Sequence, residues 1–328
     1  MGWRAFPYPK RGDTILLVGS NDLSEITSNI KFQTNWNNGA GSLTFEYPAA
    51  RAGPFPNGST VIFTYGGANV FYGFLFKTRQ NRDTCQCTAY DQLRYLKAKY
   101  TIMRPVEPLD AFLNRACATI GDRIRLGQVD KTEINLGKYF FDNQSLLDMI
   151  YQSIQDNLLL NSYYYTLRDN FGAIDLRDTV DLRLPLVIGD SSLATGFEHT
   201  KSIDDDSYNY IVVAKDDKAA GVRNTYVSED SANIGQWGKL MHYEKVSADL
   251  NEAQLKDRAA RLLALKNRET VSLSVECVGD MRVIAGSGVK VEIEEAGLDM
   301  WALVDSATHT FEGSNHTMKL NLRYGWWY

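Results

Sequence analysis

The histidines offer the most chemistry in this chain of 328 residues. His309 and His316 flank one predicted turn, so both rings could lie on one face of a hairpin as two ligands of a metal site. No third ligand lies near them in the sequence, and a role in the hairpin or the core explains them better. His199 and His242 stand alone, and no Ser or Cys occupies a recognisable nucleophile setting.

Acidic residues are abundant enough to supply a carboxylate pair for glycoside hydrolysis. The densest groups are the aspartates at 204–206 and the glutamates at 292, 294 and 295. A solvated loop and a strand edge account for them more simply. Gly286-Ser287-Gly288 is too short and wrongly placed to cradle a phosphate, and it is predicted to be a turn. We therefore expect no catalytic, cofactor or metal site, and no enzyme activity.

Charge and cysteine usage narrow the class of protein further. A net charge of -5 argues against a groove that clamps nucleic-acid phosphates, but it is compatible with a pore that nucleic acid passes through without sticking. No apolar run approaches the roughly 20 residues that cross a bilayer, so we expect no membrane binding. The cysteines at 85, 87, 117 and 277 fall on apolar faces and are predicted to be reduced and buried.

The first 192 residues divide into two predicted domains. Residues 1–105 alternate short apolar runs with Gly, Asn and Pro turns, a pattern typical of a β-barrel. Residues 106–192 form a predicted α+β module. Its first helix starts near Pro108 and ends at Gly121, and its second runs from about Ser145 to Gln155. A hairpin follows, turning at residues 169–172.

Residues 193–328 are predicted to form a second β-barrel that includes a long helix at 247–267. This helix should turn Leu255, Ala259 and Leu262 inward and place Glu252/Lys256 and Asp257/Arg261 outside as ion pairs. The polar stretch 215–236 is predicted to be a flexible loop. Period-2 alternation begins again at Val271, and a last hairpin joins 308–311 to 316–320.

Large aromatic side chains cluster at both ends of the sequence. Chains seldom leave such residues in water, so we expect one or both ends to dock on a neighbouring subunit or a partner. Packing on the chain's own barrel is the alternative. The predicted interface residues are Trp3, Phe6, Tyr8, Trp326, Trp327 and Tyr328.

Several short runs carry a family resemblance when their order and spacing are taken together. They are Gly58-Ser-Thr-Val-Ile-Phe, Val70-Phe-Tyr-Gly-Phe-Leu-Phe, Cys87-Thr-Ala-Tyr-Asp-Gln-Leu-Arg-Tyr-Leu-Lys, Gln254-Leu-Lys-Asp-Arg-Ala-Ala-Arg-Leu-Leu and Arg282-Val-Ile-Ala-Gly. The chain resembles the baseplate hub proteins of contractile phage tails and phage-tail-like bacteriocins (tailocins) of Gram-positive prophages. That family is related to late control protein D and to the N-terminal part of type VI secretion spike proteins.

The resemblance implies a β-rich α+β fold with two tube-like β-barrel domains, an intervening α+β module and a long helix that feeds the second barrel. It also implies a structural role. Three chains would form a homotrimeric ring that adapts the sixfold tail tube to the threefold central spike, beside other baseplate proteins and with DNA at most passing through the lumen. Such a protein is made in the bacterial cytoplasm and released by lysis within its particle. The alternative is a cell-wall hydrolase or carbohydrate-binding component of the same particle.

Overall fold

The structure, a computed structural model, describes residues 14–189, 194–204, 206–217, 221–246 and 250–324. None of its described helices is long and apolar enough to cross a membrane. The chain opens with an antiparallel β unit, whose alternating apolar residues meet in one core rich in Phe and Tyr. Its strands are β1 Thr14–Val18, β2 Asn21–Asp22, β3 Ser28–Asn35, β4 Ser42–Pro48, β5 Thr60–Tyr65, β6 Ala68–Gln80 and β7 Thr84–Tyr90.

The α+β module follows the first β unit. Two short 3-10 helices, Gln92–Lys97 and Thr179–Leu182, lie close to its two ends. The other elements are β8 Lys99–Arg104, β9 Glu107–Pro108, α1 Leu109–Ala118, β10 Leu126–Val129, β11 Asn135–Leu136, β12 Tyr139–Ser145, α2 Leu146–Asn161, β13 Tyr165–Asp169 and β14 Ile174–Asp178.

The module's local structure follows the sequence closely. Pro108 is the N-cap residue of α1, and the helix buries the predicted apolar stripe. Ser145 caps α2 by accepting a hydrogen bond from the Asp148 N–H, and α2 continues beyond the predicted end to Asn161, where Ser162 adopts a positive φ. The hairpin β13–β14 is confirmed. Both helices and this hairpin share one apolar core.

The rest of the chain returns to the sheet and carries an insertion. Its elements are β15 Arg183–Gly189, β16 Ala194–Ser202, β17 Tyr210–Asp217, β18 Val222–Glu229, α3 Ser231–Trp237, β19 Met241–Lys245, α4 Glu252–Lys266, β20 Thr270–Val278, β21 Gly288–Ile293, β22 Leu298–Glu312 and β23 Asn315–Arg323.

The insertion between β16 and β20 corrects two predictions. The stretch predicted as a flexible loop contains β18 and α3 instead, because β18 pairs along its whole length with β17 and Asp230 caps α3. The long helix begins at Glu252, later than predicted, where Asn251 and Gln254 form a capping box. Its inward residues Leu255, Ala259 and Leu262 pack on β17, as predicted, and both outward ion pairs form.

One sheet connects the two β regions at the ends of the chain. Its strand order is β16-β20-β23-β22-β3-β4-β7-β6-β5-β1-β2, and β21 and β15 extend it from β22. The link is the antiparallel pairing of β22 with β3, from Ser306 opposite Asn35 to Phe311 opposite Ile30. The predicted hairpin β22–β23 is confirmed. Closure of each β region into its own barrel stays a prediction.

Candidate assembly interface

The predicted aromatic interface residues lie outside the described residues. Trp3, Phe6 and Tyr8 precede Thr14, and Trp326, Trp327 and Tyr328 follow Tyr324. Their role in assembly therefore stays a prediction. The described residues present a different candidate surface, built from the sheet itself.

Eight neighbouring strands of the sheet form a band that we call the ribbon, in the order β16-β20-β23-β22-β3-β4-β7-β6. One face of the ribbon covers the two apolar cores of the β regions. The opposite face is polar, because the alternate side chains of every strand are mostly Ser, Thr, Asn, Gln or charged residues. Two cross-strand rows show this: Thr317, Thr310, Lys31, Thr44, Thr88 and Lys77 in one, and Glu276, Lys319, Thr308, Gln33, Ser42 and Tyr90 in the other.

Both ends of the ribbon expose a strand edge. β6 pairs with β5 through residues Ala68 to Phe74 and with β7 through Phe74 to Gln80, so no described strand covers the outer edge of its second half. β16 pairs with β20 on one side and with no described strand on the other. Lys77 and Arg79 lie exposed at the first edge, and Glu198 lies exposed at the second. Uncovered edges of this kind are templates for pairing with another chain.

Sequence reasoning did not find these edges, although one signal was available. The run Ala68–Gln80 is 13 residues long, whereas its partner β5 has six. A strand twice as long as its hairpin partner must either pair elsewhere or leave an edge open. Here its first half pairs with β5 and its second half with β7.

The junction at the middle of the ribbon is locked by side chains that cross from one β region to the other. Phe311 of β22 lies in the core of the first β unit, 5.0 Å from the ring of Phe63 and 4.8 Å from that of Tyr65. The Tyr65 hydroxyl donates to the carbonyl of Ser314 in the β22–β23 turn at 3.1 Å. The two β regions therefore form one packed body at this point.

His309 and His316 meet in this junction, which confirms a hairpin and core role. His309 Nε2 lies 2.8 Å from the carbonyl of Val283, so it carries the proton and donates. Nδ1 of the neutral ring is then an acceptor, and His316 Nε2 donates to it at 2.9 Å. Burial lowers the pKa of His309 to about 4, and burial together with the nearby His309 lowers the pKa of His316 to about 3.

The other residues that the sequence offered for catalysis or metal binding lie in the core, in an ion pair or on the exposed surface. All four cysteines are buried and free, as predicted, and burial raises the pKa of Cys117 and Cys277 to about 12. Asp206 pairs with Lys266, and Glu292 lies exposed on β21. His199 contacts the Tyr324 hydroxyl. Among the described residues, no group of three or more His, Cys, Asp and Glu side chains is arranged to hold a metal ion.

Comparison with known proteins identifies the family. The YQBQ-like family model matches residues 30–323. The chain belongs to the YQBQ-like family. It is 28% identical over 275 residues to the phage-like element PBSX protein XkdQ of Bacillus subtilis, with 81% of both chains covered.

Solved structures show the same fold for this YQBQ-like protein. The 43 kDa tail protein of prophage MuSo2 from Shewanella oneidensis superposes with a TM-score of 0.70 at 12% identity, covering 94% of this chain and 97% of that one. The E. coli c3393 protein, described as a component of the type VI secretion system similar to the T4 tail proteins gp27 and gp5, superposes with a TM-score of 0.57 at 8% identity, covering 92% and 75%. The fold is that of phage tail proteins and type VI relatives.

In this YQBQ-like chain a polar cluster joins the α+β module to the ribbon. Asp91, after β7, accepts hydrogen bonds from the N–H groups of Gly41 and Leu93 at 2.6 and 2.9 Å. Burial, with the nearby Asp169 as a second cause, raises the pKa of Asp91. Burial also raises the pKa of Asp169 to about 7. At neutral pH the cluster therefore holds fewer negative charges than its carboxyl groups suggest.

A chain of buried and partly buried charges joins the insertion to the module. Arg104, only 2% exposed, donates to Asp156 at 2.9 Å, and Asp156 accepts a second bond of 2.9 Å from Arg258 of α4. Arg258 also contacts Glu244 of β19 at 2.6 Å. Burial opposes the charge on Arg258, but its bonds to Glu244 and Asp156 outweigh burial and raise its pKa. These contacts fix α4 against α2 and hold the insertion in place.

Proposed function

We propose that this protein is the baseplate hub of a contractile tail or tailocin, in which three copies form a ring. The ring would adapt a sixfold tail tube above to a threefold central spike below. The fold shared with phage tail proteins and with a type VI component supports this role. Domain ranges of 1–105, 106–192 and 193–328, with a tube-like β-barrel at each end, belong to the same proposal.

The ribbon is the observation that carries the proposal. It consists of two four-stranded halves, β16-β20-β23-β22 and β3-β4-β7-β6, joined edge to edge in one chain. Three copies of such a chain would present six halves, so a threefold ring could match a sixfold neighbour. We infer that the β16 edge of one copy pairs with the second half of β6 in the next. Glu198 on one edge and Lys77 and Arg79 on the other have opposite charges, which supports that pairing.

The part of the ribbon's polar face that the α+β module does not cover would line the lumen of the ring. Its rows mix Thr, Ser, Gln and charges of both signs, with no run of Lys or Arg that would hold phosphates. DNA would at most pass through. The partners in this proposal are the tail tube protein, the central spike protein and other baseplate proteins. Trp3, Phe6 and Tyr8 are proposed as anchors on such a partner. The protein would be made in the bacterial cytoplasm, act without enzymatic activity and be released by lysis.

Cysteine crosslinking tests the ring directly. The variant Arg79→Cys with Glu198→Cys places one thiol on each ribbon edge, on the same polar face, while the native cysteines are buried. Particles assembled with tube and spike proteins are treated with a bismaleimide, and denaturing gels are read for crosslinked species. We expect a ladder that stops at three chains. Each single-cysteine variant is the matched control, because an edge-to-edge contact then brings only one thiol to each junction.

Two results would contradict the proposal. A ladder no stronger in the double variant than in the single variants would show that the edges do not meet. A ladder continuing past three chains would show an open assembly and not a closed ring. No described observation favours the hydrolase alternative, and release of peptidoglycan fragments by the purified chain would be the result that revives it.

A further inference from the structure

The small sheet of the insertion ends in an open strand. Its strand order is β18-β17-β19, so β18 pairs with β17 on one side and with no described strand on the other. α4 packs on one face of β17 and β18. Among the described elements, only β17 and α4 contact β18 extensively. The outer edge of β18 is therefore uncovered in the part of the chain that the structure describes.

The composition of β18 suits it to pairing with another strand. The strand has eight residues, Val222–Glu229, and it contains neither Pro nor Lys, which natural edge strands use against pairing, and no Gly. Its side chains alternate between two faces. Those that point away from α4 are exposed, namely Arg223, Thr225, Val227 and Glu229, and those on the side of α4 are half-buried, namely Asn224, Tyr226 and Ser228.

The charges of β18 select its partner. Arg223 lies near the start of the strand and Glu229 ends it, both on the exposed face. If β18 pairs antiparallel with a copy of itself about Tyr226, each Arg223 lies opposite the Glu229 of the second copy, because both are three positions from 226. A shift of two residues separates both ion pairs, and a shift of one places exposed side chains opposite half-buried ones. Arg223 already bonds Asp216 of β17 at 2.6 Å, and its guanidinium has donors for a second carboxylate.

The same register suits the rest of the strand and the helix above it. Thr225 lies opposite Val227 on the exposed face, and Asn224 opposite Ser228 on the other. Tyr226 faces its own counterpart at the twofold axis. Neighbouring strands are about 4.8 Å apart. Because α4 lies across β17 and β18, the two α4 helices would lie on the same side of the joined sheet at about 10 Å, a distance at which helices pack.

We propose that two copies of this protein pair through β18, antiparallel and centred on Tyr226, and join their insertion sheets into one sheet of six strands. The partner is a second copy because the charges of β18 complement β18 itself. The pairing covers an edge that would otherwise be a template for uncontrolled association. It is independent of the proposed ring, since the ring depends on the ribbon edges at β16 and β6 and this contact depends on the insertion.

Cysteine pairs test the register. Chains carrying Thr225→Cys and chains carrying Val227→Cys are mixed, incubated to exchange partners and oxidised with copper phenanthroline, and linked dimers are read on denaturing gels without reductant. In the mixture the two thiols lie directly opposite, whereas in either chain alone they lie diagonally, about 7 to 8 Å apart. We expect about fivefold more linked dimer in the mixture. The matched control replaces Val227→Cys with Met241→Cys, exposed on β19, and the native cysteines are buried.

Sedimentation of the isolated chain measures the pairing itself. We expect a dimer that dissociates on dilution. Glu229→Arg places two arginines opposite each other at both ends of the paired strands, so it should raise the Kd of the dimer about tenfold or more. Glu133→Arg makes the same change of charge at an exposed position of the α+β module, and it should leave the Kd within about twofold.

Three results would overturn the proposal. Linked dimer no more abundant in the mixture than in either chain alone or in the control would show that the β18 strands do not meet in this register. A chain that stays monomeric at the highest concentration reached would show that the edge takes no second copy. Trimers without dimers would support the ring and reject this pairing.

Discussion

The buried histidine pair predicts that acid weakens the junction between the two β regions. His309 has a pKa of about 4 in the folded chain, against an ordinary value of 6.5. Its folded pKa is lowered, so the unfolded chain binds the proton first, and stability falls as the pH drops from 6.5 towards 4. At about 1.4 kcal/mol per pKa unit, the difference corresponds to a loss of about 3 kcal/mol from His309.

The surroundings of the histidine pair offer almost nothing that would stabilise an added proton on either ring. Both ring nitrogens of His309 already have hydrogen-bond partners, and His316 stacks on Phe311 at 4.5 Å with Tyr65 at 5.4 Å. The one carboxylate that influences both rings is Asp280, which is itself bonded to Arg282. If both histidines were protonated, their two positive charges would face each other across the single hydrogen bond that joins the rings.

Urea denaturation at several pH values measures the effect. The free energy of unfolding of the natural chain and of His309→Gln is compared between pH 7 and pH 4.5 at constant ionic strength. The variant keeps a polar side chain but cannot titrate, so it should lose about 2 to 3 kcal/mol less than the natural chain over this range. His199→Gln, outside the junction, is the matched control for replacing a histidine with glutamine. Parallel profiles for His309→Gln and the natural chain would refute the reasoning.

Three further substitutions probe other contacts. Asp156→Ala should cost about 3 to 5 kcal/mol in urea unfolding because it leaves the buried Arg104 and the partly buried Arg258 without their shared carboxylate, whereas Asp257→Ala, at an exposed pair, should cost under about 1 kcal/mol. Gly279→Ala should cost about 1 to 3 kcal/mol, since a Cβ there would lie 2.2 Å from His316 Cγ, and Gly196→Ala, with open space around it, serves as its control. Asp169→Asn should raise the melting temperature, relative to the natural chain, by more at pH 8 than at pH 5. The reason is that burial raises the folded pKa of Asp169 to about 7, so the natural chain loses stability as the pH rises from 4 to 7, and the asparagine cannot ionise. Equal shifts in melting temperature at the two pH values would contradict this.

Local patterns in the sequence were reliable where one element decides its own structure. The stripe of α1, the hairpins β13–β14 and β22–β23 and the outward ion pairs of α4 follow from spacing alone. The prediction failed at β18, where polar residues alternate with Val222, Tyr226 and Val227 too weakly to indicate a strand. That strand exists because β17 offers it a partner, and partner choice is not encoded in local periodicity.

The family resemblance predicted the general fold but not how the parts of the fold contact one another. The runs quoted for it lie in both β regions, yet nothing in them states that β22 pairs with β3 or that Phe311 enters the core of the other β unit. Such contacts join residues about 250 to 280 positions apart. Several strands of similar pattern could occupy the same place, so only the packed structure selects among them.

The sequence by itself determined most element types outside the insertion, the burial of the cysteines, the turns and the family resemblance, because these depend on side chains a few residues apart. Tertiary structure alone decided which edges of the ribbon stay open and that two neutral histidines share one core. It also decided that the ion pairs of Asp156 fix the insertion to α2. Each of these depends on the distance between atoms that are far apart in the chain. The surfaces proposed for assembly belong to this second group.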